Sequence, residues 1–142
     1  MTKSLILFLS FLVSYSYSQS SIHAINTDHS KREAVIFSSD YKDIVIVPKE
    51  YDRFTPDIMQ VNSVERVLCK SIQGFKNNFR QYVGYINAES DSIILVSILS
   101  KKVIKKNKES WKREFIYGLG EFYEENQRII NYSLSENKIL KL

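Results

Sequence analysis

One stretch of this chain changes hydrophobic period, and that change constrains the fold more than any other feature. From Ile58 to Phe75 the apolar residues fall at Ile58, Val61, Val64, Leu68, Ile72 and Phe75, three or four apart. That spacing puts them on one stripe of a helix of about five turns, ending near Gly74. Thr55-Pro56-Asp57 precedes it, with a threonine able to cap the helix, a proline suited to its first position and an aspartate complementing its dipole. Elsewhere after residue 33 the apolar residues come in short, β-branched runs bounded by turn formers, which is strand chemistry.

Ala34-Val35-Ile36-Phe37 ends at Ser38-Ser39-Asp40, and Ile44-Val45-Ile46-Val47 ends at Pro48. Two short strands joined as a hairpin is the economical reading. After the helix, Phe79–Ile86 alternates loosely, Asn87–Asp91 supplies a turn, and Ser92–Leu99 reads as a central strand. Lys101–Glu109 reads as a charged linker and Trp111–Tyr117 as another alternating strand interrupted by Gly118 and Gly120. Arg128–Leu134 and Lys138–Leu142 alternate around a turn at Ser135-Glu136-Asn137. The predicted fold is α+β: one long helix packed on an antiparallel sheet of about five to six strands, with residues 34–142 as a single domain.

The first eighteen residues belong to a different class. Lys3 precedes an apolar run from Leu5 to Val13 broken only by Ser10, and Ser14–Gln19 is rich in small residues. This is the layout of a secretory signal peptide, and the run is too short to span a bilayer. With cleavage after Ser18, the expectation is an exported bacterial protein, periplasmic or secreted, with no transmembrane segment. Residues 19–33 are polar and aperiodic and are expected to form a flexible lead-in. The single cysteine, Cys69, cannot make an internal disulfide, so stability must come from core packing.

Nucleophilic catalysis needs a positioned base, and the two histidines, His23 and His29, both fall in the lead-in. Cys69 flanks the helical stripe, where a small buried hydrophobe is its ordinary role. No glycine-rich phosphate loop, nucleophile elbow or His-Glu-x-x-His motif occurs. His23, Asp28 and His29 make a poor preorganised metal site in a flexible segment. Cleavage after Ser20 would instead expose Ser21-Ile22-His23, an amino-terminal sequence able to wrap Cu(II) or Ni(II). Neither a metal nor a cofactor is expected from the preferred cut.

The most visible charge feature is Lys101, Lys102, Lys105, Lys106, Lys108, Lys112 and Arg113 within thirteen positions, against a net charge of +4 for the whole chain. These residues are the candidate binding patch, for an anionic envelope component or an acidic protein partner, with nucleic acid not expected for an exported chain. The competing explanation is a solvated hairpin tip whose lysines discourage edge-to-edge pairing. Glu121, Glu124 and Glu125 lie along one loop and define no catalytic pair. Tyr82, Tyr85, Phe115, Tyr117 and Tyr132 could line a ligand surface, though sheet packing is the commoner use.

Arg80-Gln81-Tyr82-Val83-Gly84-Tyr85, Trp111-Lys112 and the Asn131-Tyr132-Ser133 strand together resemble small exported hypothetical proteins of Bacteroidota. The resemblance covers the C-terminal half and implies export and a helix-plus-sheet layout, without catalytic residues. The layout also resembles cystatin-like domains. Gln81-Tyr82-Val83-Gly84 is similar to the Q-x-V-x-G inhibitory loop of cystatins, with its spacing one residue short. The function expected is therefore an exported, non-enzymatic binding or envelope-associated protein. The alternatives are a cystatin-like protease inhibitor, or a small periplasmic enzyme using His23 or His29.

Overall fold

The computed structural model describes residues 23–140. The signal-peptide reading of residues 1–18 and the start of the lead-in lie outside the described residues. The described residues form a mixed sheet with three α-helices. In chain order the elements are β1 (His23–Ile25), β2 (Ala34–Ile36), β3 (Arg53–Phe54), α1 (Ile58–Ser71), β4 (Phe79–Ile86), β5 (Ser92–Leu99), α2 (Lys101–Lys106), α3 (Glu121–Asn126), β6 (Gln127–Ser133) and β7 (Lys138–Leu140). The strands lie in the order β1-β2-β4-β5-β6-β7, and β3 pairs with the far half of the β4 edge that β2 occupies.

The strands read from β-branched runs at β4, β5, β6 and β7 are present, and β5 is central, paired with β4 and β6. The sheet is not wholly antiparallel, however. Ala34, Val35 and Ile36 pair in parallel with Arg80, Gln81 and Tyr82, and the return passes through α1. The expected hairpin of Ala34–Phe37 with Ile44–Val47 does not form. Ile44–Val47 is a turn in which Val47 N donates to Ile44 O, so Ile44 and Val47 point into the core while Val45 is 85% exposed. A continuous apolar run thus serves a turn, because only two of its four side chains need burial.

The helix is shorter than the stripe predicts. Asp57 caps α1, accepting from Gln60 N at 2.8 Å while its own N donates to Gln60 Oε1 at 2.9 Å, a reciprocal capping box. Thr55, the expected cap, instead accepts from Ser39 N at 2.9 Å. At the other end Ile72 adopts φ −119° and ψ 115°, and Gly74 takes the left-handed φ of 76° that leads into a 3₁₀ turn at Phe75–Asn77. Ile72 and Phe75 still reach the core, but from this turn and not from the helix.

Two further expectations change. Lys101–Glu109 is not a linker: Ser100 caps α2 by accepting from Val103 N, and Val103 is buried beneath the lysines. Glu121, Glu124 and Glu125 lie on α3, not on a loop. Trp111–Tyr117 forms no strand despite its alternation; Trp111 N, Arg113 N and Glu114 N donate to backbone carbonyls of a turn, and side chains described below meet other backbone groups of the segment.

The sheet separates two cores. On one face α1 packs with Val61, Val64 and Leu68 against Ala34, Ile36, Tyr82, Ile94, Val96, Ile130 and Tyr132. On the other, Val35, Phe37, Val83, Leu95 and Leu99 are covered by Ile44, Val47, Val103, Trp111, Phe115 and Ile116, which come from turns and short helices. Alternation along β4 and β5 assigns the faces.

Candidate functional site

Three regions hold the residues that chemistry singles out: the basic run, the middle of β4, and the turns between β2 and β3. The basic run does not act as one unit. Lys112 pairs with Glu33 Oε2 at 2.6 Å and lies 5.5 Å from the Trp111 ring, and Arg113 donates to Glu109 O at 2.7 and 3.1 Å. Lys106 sits 4.6 Å from the Phe122 ring and 5.1 Å from the Tyr123 ring, which joins α2 to α3. These three cations are committed to the fold. Lys101, Lys102, Lys105 and Lys108 are exposed and, among the described residues, make no ion pair. Lys101 and Lys102 occupy the first turn of α2, where the helix dipole disfavours positive charge.

The middle of β4 carries two adjacent, fully buried polar side chains, Arg80 and Gln81. Arg80 faces α1. Its Nε and Nη2 donate to Glu65 Oε1 at 3.0 and 2.8 Å, and Tyr82 OH donates to the same oxygen at 2.5 Å. Arg80 Nη1 also donates to Arg32 O at 2.6 Å and Ser30 Oγ at 2.9 Å, and Nη2 to Thr27 Oγ1 at 3.0 Å. Burial, with the Glu65 charge second, pushes the Tyr82 phenol well above its ordinary range. Glu65 Oε2 is buried without a hydrogen-bond partner. Residues 27–33, expected to be a flexible lead-in, are therefore held to the sheet by this guanidinium, and β1 continues the sheet beyond them.

Gln81 faces the opposite way. Its Nε2 donates to Trp111 O at 2.6 Å and Glu114 O at 2.8 Å, and its Oε1 accepts from Ile116 N at 2.8 Å. Gln127 continues the pattern, donating to Ile116 O at 2.5 Å and Ser97 Oγ at 2.9 Å while accepting from Gly118 N at 3.1 Å. Two glutamine amides thus replace the ladder that Trp111–Tyr117 lacks. The segment Gln81–Gly84 is buried in mid-strand, so it presents no exposed hairpin tip of the cystatin kind. At Gly84 an added Cβ would lie 2.6 Å from Phe54 O, so the glycine is what lets β3 approach.

His23 is exposed on β1 and His29 half-buried. Cys69 packs partly against the α1 core and its Sγ lies 3.4 Å from Arg66 O, a local helical contact and not one with a base. Tyr82 and Tyr132 are in the α1-side core, Phe115 is in the opposite core with Tyr85 packed against it, and Tyr117 is exposed. No group of three histidine, cysteine, aspartate or glutamate residues able to hold a metal occurs among the described residues. No helix among them is long and apolar enough to cross a membrane.

The turns between β2 and β3 were missed by sequence reading. They enclose an open cleft of about 690 Å³ with Arg53 on its wall. Only an arginine beside a short β-pairing marked the place in the sequence, and that signal has no specificity. Comparison with protein-family models, curated proteins and solved structures finds no match to this chain.

Proposed function

We propose that this protein is an exported, non-enzymatic binding domain of the bacterial envelope that holds an anionic surface through Lys101, Lys102 and Lys105 of α2 and Lys108 of the turn that follows it. One observation carries the reading. Lys101, Lys102 and Lys105 lie on a helix over the sheet and Lys108 in the turn after it, so protection of a strand edge does not account for them. Lys101 and Lys102 sit where the dipole opposes them, which costs a few tenths of a kcal/mol up to about 1 kcal/mol each. A role outside the fold explains why lysine stands there. The local contact of Cys69 and the exposure of His23 favour binding over catalysis. Packing of α1 on one sheet face supports a cystatin-like layout, from which the parallel β2–β4 pair departs.

Flotation with phosphatidylcholine vesicles, with and without phosphatidylglycerol, tests this. A lysine near an anionic surface contributes about 1 kcal/mol. The variant carrying K101E, K102E, K105E and K108E is therefore expected to bind at least about a hundredfold more weakly than the wild type. Wild-type binding is expected to fall with added salt. Equal binding to both vesicle types, or an unaffected variant, would sink the idea.

A further inference from the structure

A second site stands apart from the lysine face, in the turns that lead from β2 to β3. Ile44 and Val47 turn inward to the core, and Pro48 and Tyr51 extend the apolar wall of the cleft. Tyr51 is fixed there by stacking on Tyr85, with ring centroids 5.8 Å apart and planes 9° from parallel. The cleft therefore has one apolar side, in a lining that is otherwise polar and charged.

Of the charged residues that line it, Arg53 is the one that is not exposed. The guanidinium is held by backbone carbonyls: Nε donates to Gly84 O at 2.9 Å, Nη1 to Tyr41 O at 3.0 Å and Nη2 to Ser38 O at 3.4 Å. A guanidinium carries five N–H groups, so two remain after these three bonds. No carboxylate of the described residues lies within ion-pair distance of it. Burial weakens the hold of Arg53 on its proton, and no neighbouring negative charge offsets this. The side chain is thus a partly desolvated, positioned cation with no carboxylate in ion-pair contact.

The rim limits what can enter. Asp40, Asp43 and Asp52 are exposed around the cleft, with Lys42 and Lys49 on the same rim. A polyanion would span the three carboxylates, whereas a single carboxylate can reach Arg53, the lining cation that is not exposed, with its body on the apolar side. We propose that this cleft binds a small monocarboxylate with an apolar body, the carboxylate on Arg53 and the body against Tyr51, Pro48 and Val47. A charge-assisted pair with arginine is the strongest contact available there, and it is lost when the acid is made an amide.

The probes are N-acetylphenylalanine and N-acetylphenylalanine amide, each titrated into isotope-labelled protein and followed by NMR at the Arg53 side chain and the Tyr51 ring. The acid is expected to give saturable shifts at both positions, with the amide at least about tenfold weaker. Arg53→Lys should retain weakened binding and Arg53→Met should abolish it. Equal binding of acid and amide, no shifts at the cleft, or shifts confined to Lys101–Lys108 would each overturn the proposal. Should Arg53→Met fail to fold, the acid–amide comparison on the wild-type protein decides alone.

Discussion

The two faces of the sheet are covered by different means, and neighbouring residues of β4 show how. On the α1 face a helix with its own capping box supplies a regular apolar stripe, and the buried polar group is a charge pair, Arg80 with Glu65. On the other face no long helix is available. Turns and short helices cover the sheet, and the polar groups that meet them are the neutral amides of buried Gln81 and half-buried Gln127. The difference follows from backbone accounting. A helix satisfies its own N–H and C=O groups, whereas an irregular segment brings unpaired ones that something must meet. An amide offers both a donor and an acceptor and so suits that task, while a guanidinium can only donate. Arg80 accordingly gathers carbonyl and hydroxyl oxygens of residues 27–33, together with one carboxylate.

The comparison predicts a larger penalty on the charged face. Arg80→Met leaves Glu65 buried without a counter-charge, a situation that typically costs 3–5 kcal/mol, on the order of half the stability of an ordinary domain. Denaturant unfolding should show this loss, together with faster amide exchange at Lys31, whose N donates to Lys76 O beside the tether. Glu65→Leu combined with Arg80→Met should recover much of it, since an apolar pair carries no desolvation penalty. A loss below about 1 kcal/mol in the single variant would mean that the pair does not organise this face.

Gln81→Ala tests the neutral face. It strands Ile116 N, Trp111 O and Glu114 O, and at about 1–3 kcal/mol for an unsatisfied buried group the expected total is about 2–3 kcal/mol after relaxation. Protection of the Ile116 amide should fall while Lys31 stays protected. Loss of protection at both amides would show that the faces are not independent.

The smallest effect concerns alkaline pH. The Tyr82 phenol is held above its ordinary value of 10.0, chiefly by burial and then by Glu65. The folded state therefore binds this proton more tightly than the unfolded chain. Its contribution is complete below about pH 10 and declines as pH rises from there toward the folded value. Tyr82→Phe should lower stability at neutral pH by about 1 kcal/mol, through the lost bond to Glu65. It should also flatten the alkaline limb of a stability–pH curve. Tyr41, Tyr85 and Tyr132 are raised by burial as well, so the limb should shrink without vanishing. An unchanged slope would remove Tyr82 from the account.

Periodicity alone located β4, β5, β6 and β7 and a helix starting at Ile58, which ends at Ser71 and not near Gly74; of its expected stripe α1 buries Val61, Val64 and Leu68, while Ile58 is exposed. Each of these elements satisfies its pattern locally, by period 2 or by three-four spacing, and a local pattern is readable in a linear sequence. Alternation failed at Trp111–Tyr117, and a β-branched run failed at Ile44–Val47, because both segments cover a face of the sheet and bury their apolar side chains there without pairing to a strand edge. The basic run was legible as composition, but its division into Lys106, Lys112 and Arg113, which are engaged, and Lys101, Lys102, Lys105 and Lys108, which are not, depends on Glu33 and the rings of α3.

The sequence by itself determined the types of α1 and of β4 to β7, the α+β class and the absence of disulfide support, all properties of neighbouring residues or of counts. Tertiary structure decided the parallel β2–β4 pairing, the tether of residues 27–33 and the cleft around Arg53. Each of these joins groups far apart along the chain, such as Arg80 with Thr27 or Arg53 with Gly84, by bonds whose partners only the folded topology brings together. A buried donor must find an acceptor, but which acceptor it finds is set by the packing of the whole sheet.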